Sequence, residues 1–126
     1  MKKRIGIAVL GLGWMGQAHS RSLIRIPTLF SDRNFNPILR VCADFDLNRG
    51  NQAVADFGFE RSTQNWQDAV EANDVDAVWV CAPNMLHLPI IEAASKAGKI
   101  VFSEKPIGGK PEQTLEAFKI ATKNKT

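Results

Sequence analysis

The sequence predicts an α/β fold, a doubly wound parallel sheet of about five strands with helices on its faces. Three features carry that prediction. A short apolar run, Ile5 to Leu10, breaks into three glycines spaced G-x-G-x-x-G: Gly11, Gly13 and Gly16. Behind them, Met15, Ala18, Leu23 and Ile26 recur at roughly helical spacing, with no proline before Pro27. Further on, the apolar runs ILRVCA, VDAVWVCA and KIVFS alternate with helical stretches, as expected of strands buried on both faces and joined by crossover helices.

Taken in order, Ile5 to Leu10 is too short for a buried helix and rich in branched residues, so it reads as the first strand. The first helix then begins inside the glycine motif, at Trp14. In that setting Gly11 permits a tight turn, Gly13 lets the backbone approach a pyrophosphate, and Gly16 lets the helix pack closely on the strand. The free N–H groups of the first turn, Trp14 and Met15 among them, and the positive end of the helix dipole then face the phosphates. The competing reading is a glycine-rich turn in another α/β protein such as a methyltransferase. Its usual acidic residue before the glycines is replaced here by Val9 and Leu10.

Pro27 to Pro37 reads as a long loop, with Phe30 and Phe35 expected to pin it to the body. Ile38 to Ala43 is the second strand and ends at Asp44, whose position suits hydrogen bonds from adenosine ribose hydroxyls. A carboxylate there also repels the extra phosphate of NADP, which favours NAD. Asp46 competes for the role but is better explained as the N-cap of a helix from Asn48 to Phe57. Arg49 is read as a solvated helix residue, although it could meet a 2′-phosphate, so NADP stays open. Gly58 ends that helix.

Glu60 to Thr63 is predicted as a short edge strand, and Trp66, Ala69 and Val70 as the apolar face of a small helix. Val75 to Ala82 is another covered strand, with Trp79 reaching a helix layer. It is followed by Pro83, Asn84 and His87 and a helix from Leu88 to Lys96. Asn84 sits where open α/β sheets bind ligands, or else is a turn or cap residue. His87 at a helix start more often caps or packs than catalyses. Lys99 to Ser103 is the fifth strand, ending in Glu104, Lys105 and Pro106. Lys105 can hydrogen-bond a substrate oxygen and stabilise its negative charge, or form a surface ion pair with Glu104. Pro111 opens a last helix that offers Leu115, Phe118 and Ile120 for burial.

Composition narrows the classes. A chain of 126 residues is read as one domain, 1–126, too small for a cofactor domain plus a full substrate domain. The net charge of +3 comes from lysines and arginines crowded at the two ends, with no basic stripe interleaved with aromatics, so nucleic acid is not an expected partner. No apolar stretch approaches the roughly 20 residues of a membrane span, and the run after Lys2, Lys3 and Arg4 is cut by glycines, unlike a secretory signal. A cytoplasmic protein is expected. With the strand order 3-2-1-4-5 usual for this fold, Cys42 and Cys81 lie on strands about 9–10 Å apart, too far for a disulfide. No metal ligands are assigned.

Together GLGWMG followed by His19, the acid Asp44, APNMLH from Ala82 to His87 and AGKIVFSEKP from Ala97 to Pro106 resemble the N-terminal domain of the Gfo/Idh/MocA oxidoreductases over essentially the whole chain. The resemblance implies a Rossmann-type sheet and an NAD(P)-dependent dehydrogenase acting on a sugar, polyol or related secondary alcohol. It implies that Gly11, Gly13, Trp14, Met15 and Gly16 hold the pyrophosphate and Asp44 the ribose. Pro83, Asn84, His87 and Glu104 would complete the cofactor site, with Lys105 polarising the reacting oxygen.

Members of that family are about three times longer, with a further strand and a second domain that supplies substrate contacts and usually the acid/base histidine. Homo-oligomers are compatible with the resemblance. The alternative is a non-catalytic NAD(H)-binding sensor. The chain is expected to bind NAD without oxidising an alcohol by itself. NADH absorbance growing when polyols and NAD are mixed with purified chain would contradict that.

Overall fold

Four apolar runs and one polar edge form a single parallel sheet in the computed structural model, which describes residues 1–126. The strands β1 (Lys3–Leu10), β2 (Phe35–Ala43), β3 (Arg61–Thr63), β4 (Ala77–Val80) and β5 (Ile100–Ser103) lie in the order β3-β2-β1-β4-β5, as the sequence predicts. The helices are α1 (Trp14–Leu29), α2 (Leu47–Phe57), α3 (Trp66–Glu71), α4 (His87–Lys96) and α5 (Pro111–Asn124).

β1 is central and buried on both sides, which is why its apolar run is unbroken. Its residues alternate: Ala8 and Leu10 meet Ala69 and Val70 of α3 and Ile90 and Ala94 of α4. Ile7 and Val9 meet Leu23 of α1 and Ala53 of α2 on the opposite face. Each fully buried Val, Leu or Ile among them contributes about 1.5–3 kcal/mol. Gly6 is required for the same closeness, since a Cβ there would overlap the carbonyl of Asp74.

Local signals set several boundaries. The Asp46 carboxylate accepts from the N–H groups of Asn48 and Arg49 at 2.9 and 3.2 Å, and Gly58 closes α2 with φ of 77°. Both the N-cap and the C-terminal glycine match the sequence reading. Asn65 caps α3 in the same way.

Other boundaries move. α1 runs through Pro27 to Leu29, because proline in a last turn forfeits a single bond and the end is closed by Phe30 N–H on the Ile26 carbonyl at 3.0 Å and Thr28 Oγ1 on the Arg25 carbonyl at 2.9 Å. β2 starts at Phe35, so Pro37 lies within a strand, opposite Ile5. Its partner on the other side, β3, pairs only with Val41 to Ala43, so Pro37 falls where one edge has no ladder to lose. A register shift at Arg40 opposite Ile7 and Ala8 returns β2 to phase.

The predicted loop shrinks accordingly. Phe30 and Phe35 do not pin it: they are exposed, and Arg33 anchors it instead, donating to the carbonyls of Pro27 and Phe30 and to Asn36 Oδ1 at 3.0, 3.0 and 2.6 Å. In α5 the buried residue is Ala117, whereas Leu115 and Phe118 are exposed, because a small residue permits the close packing of α5 on α4. Trp79 stacks on Phe102 with ring centroids 4.3 Å apart, in a groove that α1 borders through Leu23 and Ile26. No helix is long and apolar enough to cross a membrane.

Cys42 and Cys81 are free thiols, as predicted. Burial pushes each up to about 12. An exposed thiol ionises near about 8.5, so only the unfolded chain gains charge as the pH climbs above that value, and the contribution of the two thiols to stability is lost on the way to about 12. An aromatic disulfide reagent at about pH 8 should leave the buried Cys42 almost untouched in the folded protein, label the half-buried Cys81 slowly and label both in denaturant; rapid labelling of Cys42 without denaturant would refute this.

Candidate functional site

The sheet order reverses between β1 and β4, the point at which open α/β sheets bind ligands beyond the carboxyl ends of their strands. There a cleft of about 270 Å³ opens between the glycine turn, the end of β2 and the loop after β4. Gly11 has φ of 89°, and a Cβ on it would come within 2.6 Å of the Ala82 nitrogen and the Cys81 carbonyl oxygen. The turn can therefore lie against the β4 loop only without a side chain. A Cβ on Gly16 would overlap the carbonyl of Gly11, so α1 is seated directly on that turn. A Cβ on Gly13 would meet nothing within 4 Å.

The three glycines thus divide their work. Gly11 and Gly16 are needed by the protein's own packing, whereas the bare backbone of Gly13 faces space. Gly13 is also the N-cap of α1 and offers no side-chain cap, and no acidic residue occupies the first turn. That leaves the helix's first N–H groups and its positive dipole end to an anion. Neither Trp14, which is 86% exposed, nor Met15 fills the cleft.

On the opposite wall Asp44 follows β2 with its side chain only 8% exposed. Its Oδ2 accepts from the Leu12 N–H at 2.8 Å and its Oδ1 from the Asp46 N–H at 2.9 Å. Both oxygens thus accept from backbone N–H groups, which ties the carboxylate to the glycine turn. Arg49, read from sequence as a solvated helix residue, lies against it, with Nη1 3.4 and 3.5 Å from its two oxygens. Arg49, Phe45, Gln64 and Trp66 all line the cleft. Trp66 also packs on the core, as expected, so one side chain serves both.

The loop after β4 carries Pro83, which lines the cleft, then a single 3-10 turn, Asn84–Leu86. Asn84 Nδ2 donates to the Pro106 carbonyl at 2.7 Å. His87 is buried, with Nδ1 2.8 Å from the same carbonyl and Nε2 2.8 Å from that of Ala82. Both side chains are therefore occupied with the backbone of the segment that carries Lys105.

Glu104 extends the β4–β5 ladder through its N–H to the Val80 carbonyl. Its carboxylate pairs with His19 Nε2 of α1 at 2.8 Å and accepts from the Lys105 N–H at 3.2 Å. Those bonds, the one from His19 foremost, hold Glu104 below the usual carboxylate range. His19 is the residue that sequence reasoning did not assign a role. Its partner lies 85 positions away, and no local spacing could have revealed it.

The chain matches the oxidoreductase family with an NAD-binding Rossmann fold over residues 5–126. It is 32% identical to the levoglucosan dehydrogenase of Pseudarthrobacter phenanthrenivorans over 92% of this chain and 30% of that protein. It is 31% identical to the inositol 2-dehydrogenase of Rhizobium meliloti over 99% of this chain and 34% of that protein. A solved levoglucosan dehydrogenase in complex with NADH and levoglucosan superposes with a TM-score of 0.92 at 30% identity, covering 97% of this chain and 33% of that one. The chain thus spans about a third of the length of these relatives.

The two packing roles can be separated by substitution. Gly16→Ala should destabilise the fold by about 1–3 kcal/mol or more, since α1 must lift from the turn. Gly13→Ala should remain within about 1 kcal/mol of wild type. Denaturant midpoints at equal m-values check both; equal losses would show that Gly13 is needed for packing after all.

Proposed function

The chain belongs to the Gfo/Idh/MocA family of NAD-binding Rossmann-fold oxidoreductases, and we propose that it forms the cofactor-binding part of a dehydrogenase acting on a secondary alcohol of a cyclic sugar or polyol. The observation that carries this reading is the bare, uncapped start of α1 at Gly13, facing the same cleft as the fixed carboxylate of Asp44. An anion seat and an acceptor pair on facing walls suit a dinucleotide's pyrophosphate and ribose. The substrate class follows the named activities of the relatives, which act on levoglucosan and inositol.

In this reading Gly11, Gly13 and Gly16, with the N–H groups of Trp14 and Met15, hold the pyrophosphate. Asp44 accepts from the ribose hydroxyls on the lone pairs left by Leu12 and Asp46. Pro83 borders the nicotinamide end. Asn84 and His87 serve that end by fixing the Pro106 carbonyl, and Glu104 by fixing the start of the same segment. When bound, NAD supplies the hydride acceptor. Lys105 donates to the substrate oxygen and stabilises the charge that grows there as the alcohol's proton passes to a general base, which the family resemblance places in the second domain of its longer members. No observation specific to a non-catalytic sensor stands beside this reading.

Asp44 favours NAD: a 2′-phosphate would meet a carboxylate that two backbone bonds hold in place, and Arg49 is turned against that carboxylate. Calorimetric titration of the chain should show NADH binding about tenfold or more tighter than NADPH. Asp44→Asn should weaken NADH by about ten- to a hundredfold, the loss of a charge-assisted bond of about 1.5–3 kcal/mol, and narrow the preference. Gly13→Ala should weaken both nucleotides while the fold persists. Absence of NADH binding at about millimolar concentration would overturn the reading.

A further inference from the structure

Lys105 stands between two residues whose polar atoms are taken. On one side the Pro106 carbonyl is shared by Asn84 and His87. On the other, both oxygens of Glu104 are engaged, Oε1 by His19 Nε2 at 2.8 Å and Oε2 by the Lys105 N–H at 3.2 Å. A carboxylate only accepts, so His19 Nε2 carries the proton in this contact, and α1 is tied through it to the end of β5.

The titratable groups that lower Glu104 are His19 and Lys105. The nearby Cys81 thiol is neutral, pushed up by burial and then by the Glu104 charge. Lys105 is the other cation that acts on the Glu104 carboxylate, yet the side chain that carboxylate pairs with is His19, at 2.8 Å. If His19 is removed, Oε1 loses its donor and the adjacent ammonium is the cation left to satisfy it.

We propose, resting on the dehydrogenase reading above, that His19 is a positioning residue: by occupying Glu104 it keeps that carboxylate from pairing with the Lys105 ammonium, which stays free for substrate. Lys105 remains the group that touches substrate. His19 acts through Glu104 alone, from the helix whose first turn faces the cleft.

The test is the rate at which an amine-reactive ester labels Lys105 in the 126-residue chain, followed by mass spectrometry of its peptide. An ammonium held by a carboxylate reacts more slowly. His19→Ala should slow labelling at least about threefold, and so should His19→Leu, which keeps bulk and removes the donor. His19→Gln, whose amide N–H can reach Oε1, should restore the wild-type rate. The double variant His19→Ala/Glu104→Gln should restore it too, which a role confined to packing would not produce.

A smaller effect in both His19→Ala and His19→Leu, or a double variant as slow as His19→Ala, overturns the proposal. NADH titration separates the two readings. Wild type and His19→Ala should bind within about twofold of each other. Failure of wild type to bind defeats the dehydrogenase reading, while the labelling rates still decide whether His19 governs Lys105.

Discussion

The closest constraint in the molecule is the seat of Gly16 on the carbonyl of Gly11, an approach that leaves no room for a Cβ. It puts the start of α1 directly behind the end of β1, so that the helix's first N–H groups open onto the cleft rather than onto protein. Gly11 adds the second contact, against Cys81 and Ala82, which brings the loop after β4 up to the same turn. Two walls of the cleft are thus placed by one pair of side-chain-less residues. The third wall, Asp44, is drawn in by its bond from the Leu12 N–H inside that turn.

This arrangement explains how the charges of the site are kept apart. Asp44 is fixed by backbone N–H groups and flanked by Arg49, whereas Glu104 is held by His19. Each carboxylate has its own partners, and Lys105, the exposed cation after β5, is paired with neither. The framework beneath it is built from backbone carbonyls: Pro106 and Ala82 take the side chains of Asn84 and His87. Polar residues that a motif reading assigns to a ligand can therefore act one step back, by shaping the segment that meets it.

Much was legible before any coordinates. Periodicity located all five strands and all five helices in their order, because each signal comes from residues a few positions apart: alternating or continuous burial, Asp46 at a helix start, Gly58 at its end. The glycine motif was legible too, since its requirement is a backbone one. Errors fell where a neighbour in space overrode a local rule. Pro37 reads as a loop residue by local rules, yet it sits in a strand whose outer edge is bare at that point. Phe30 and Phe35 were expected to anchor a loop that Arg33 anchors instead.

By itself the sequence determined the fold class, the glycine turn and the acid at the end of β2, which rest on short-range sterics and hydrogen bonding, while the strand order followed as the one usual for that fold class. Only the tertiary structure decided which polar groups face the crevice and which are consumed by its frame. Arg49 against Asp44, Asn84 and His87 on Pro106, and His19 on Glu104 are meetings between different elements. Their geometry follows from how helices dock on a sheet, a property of the packed whole that no window of neighbouring residues contains.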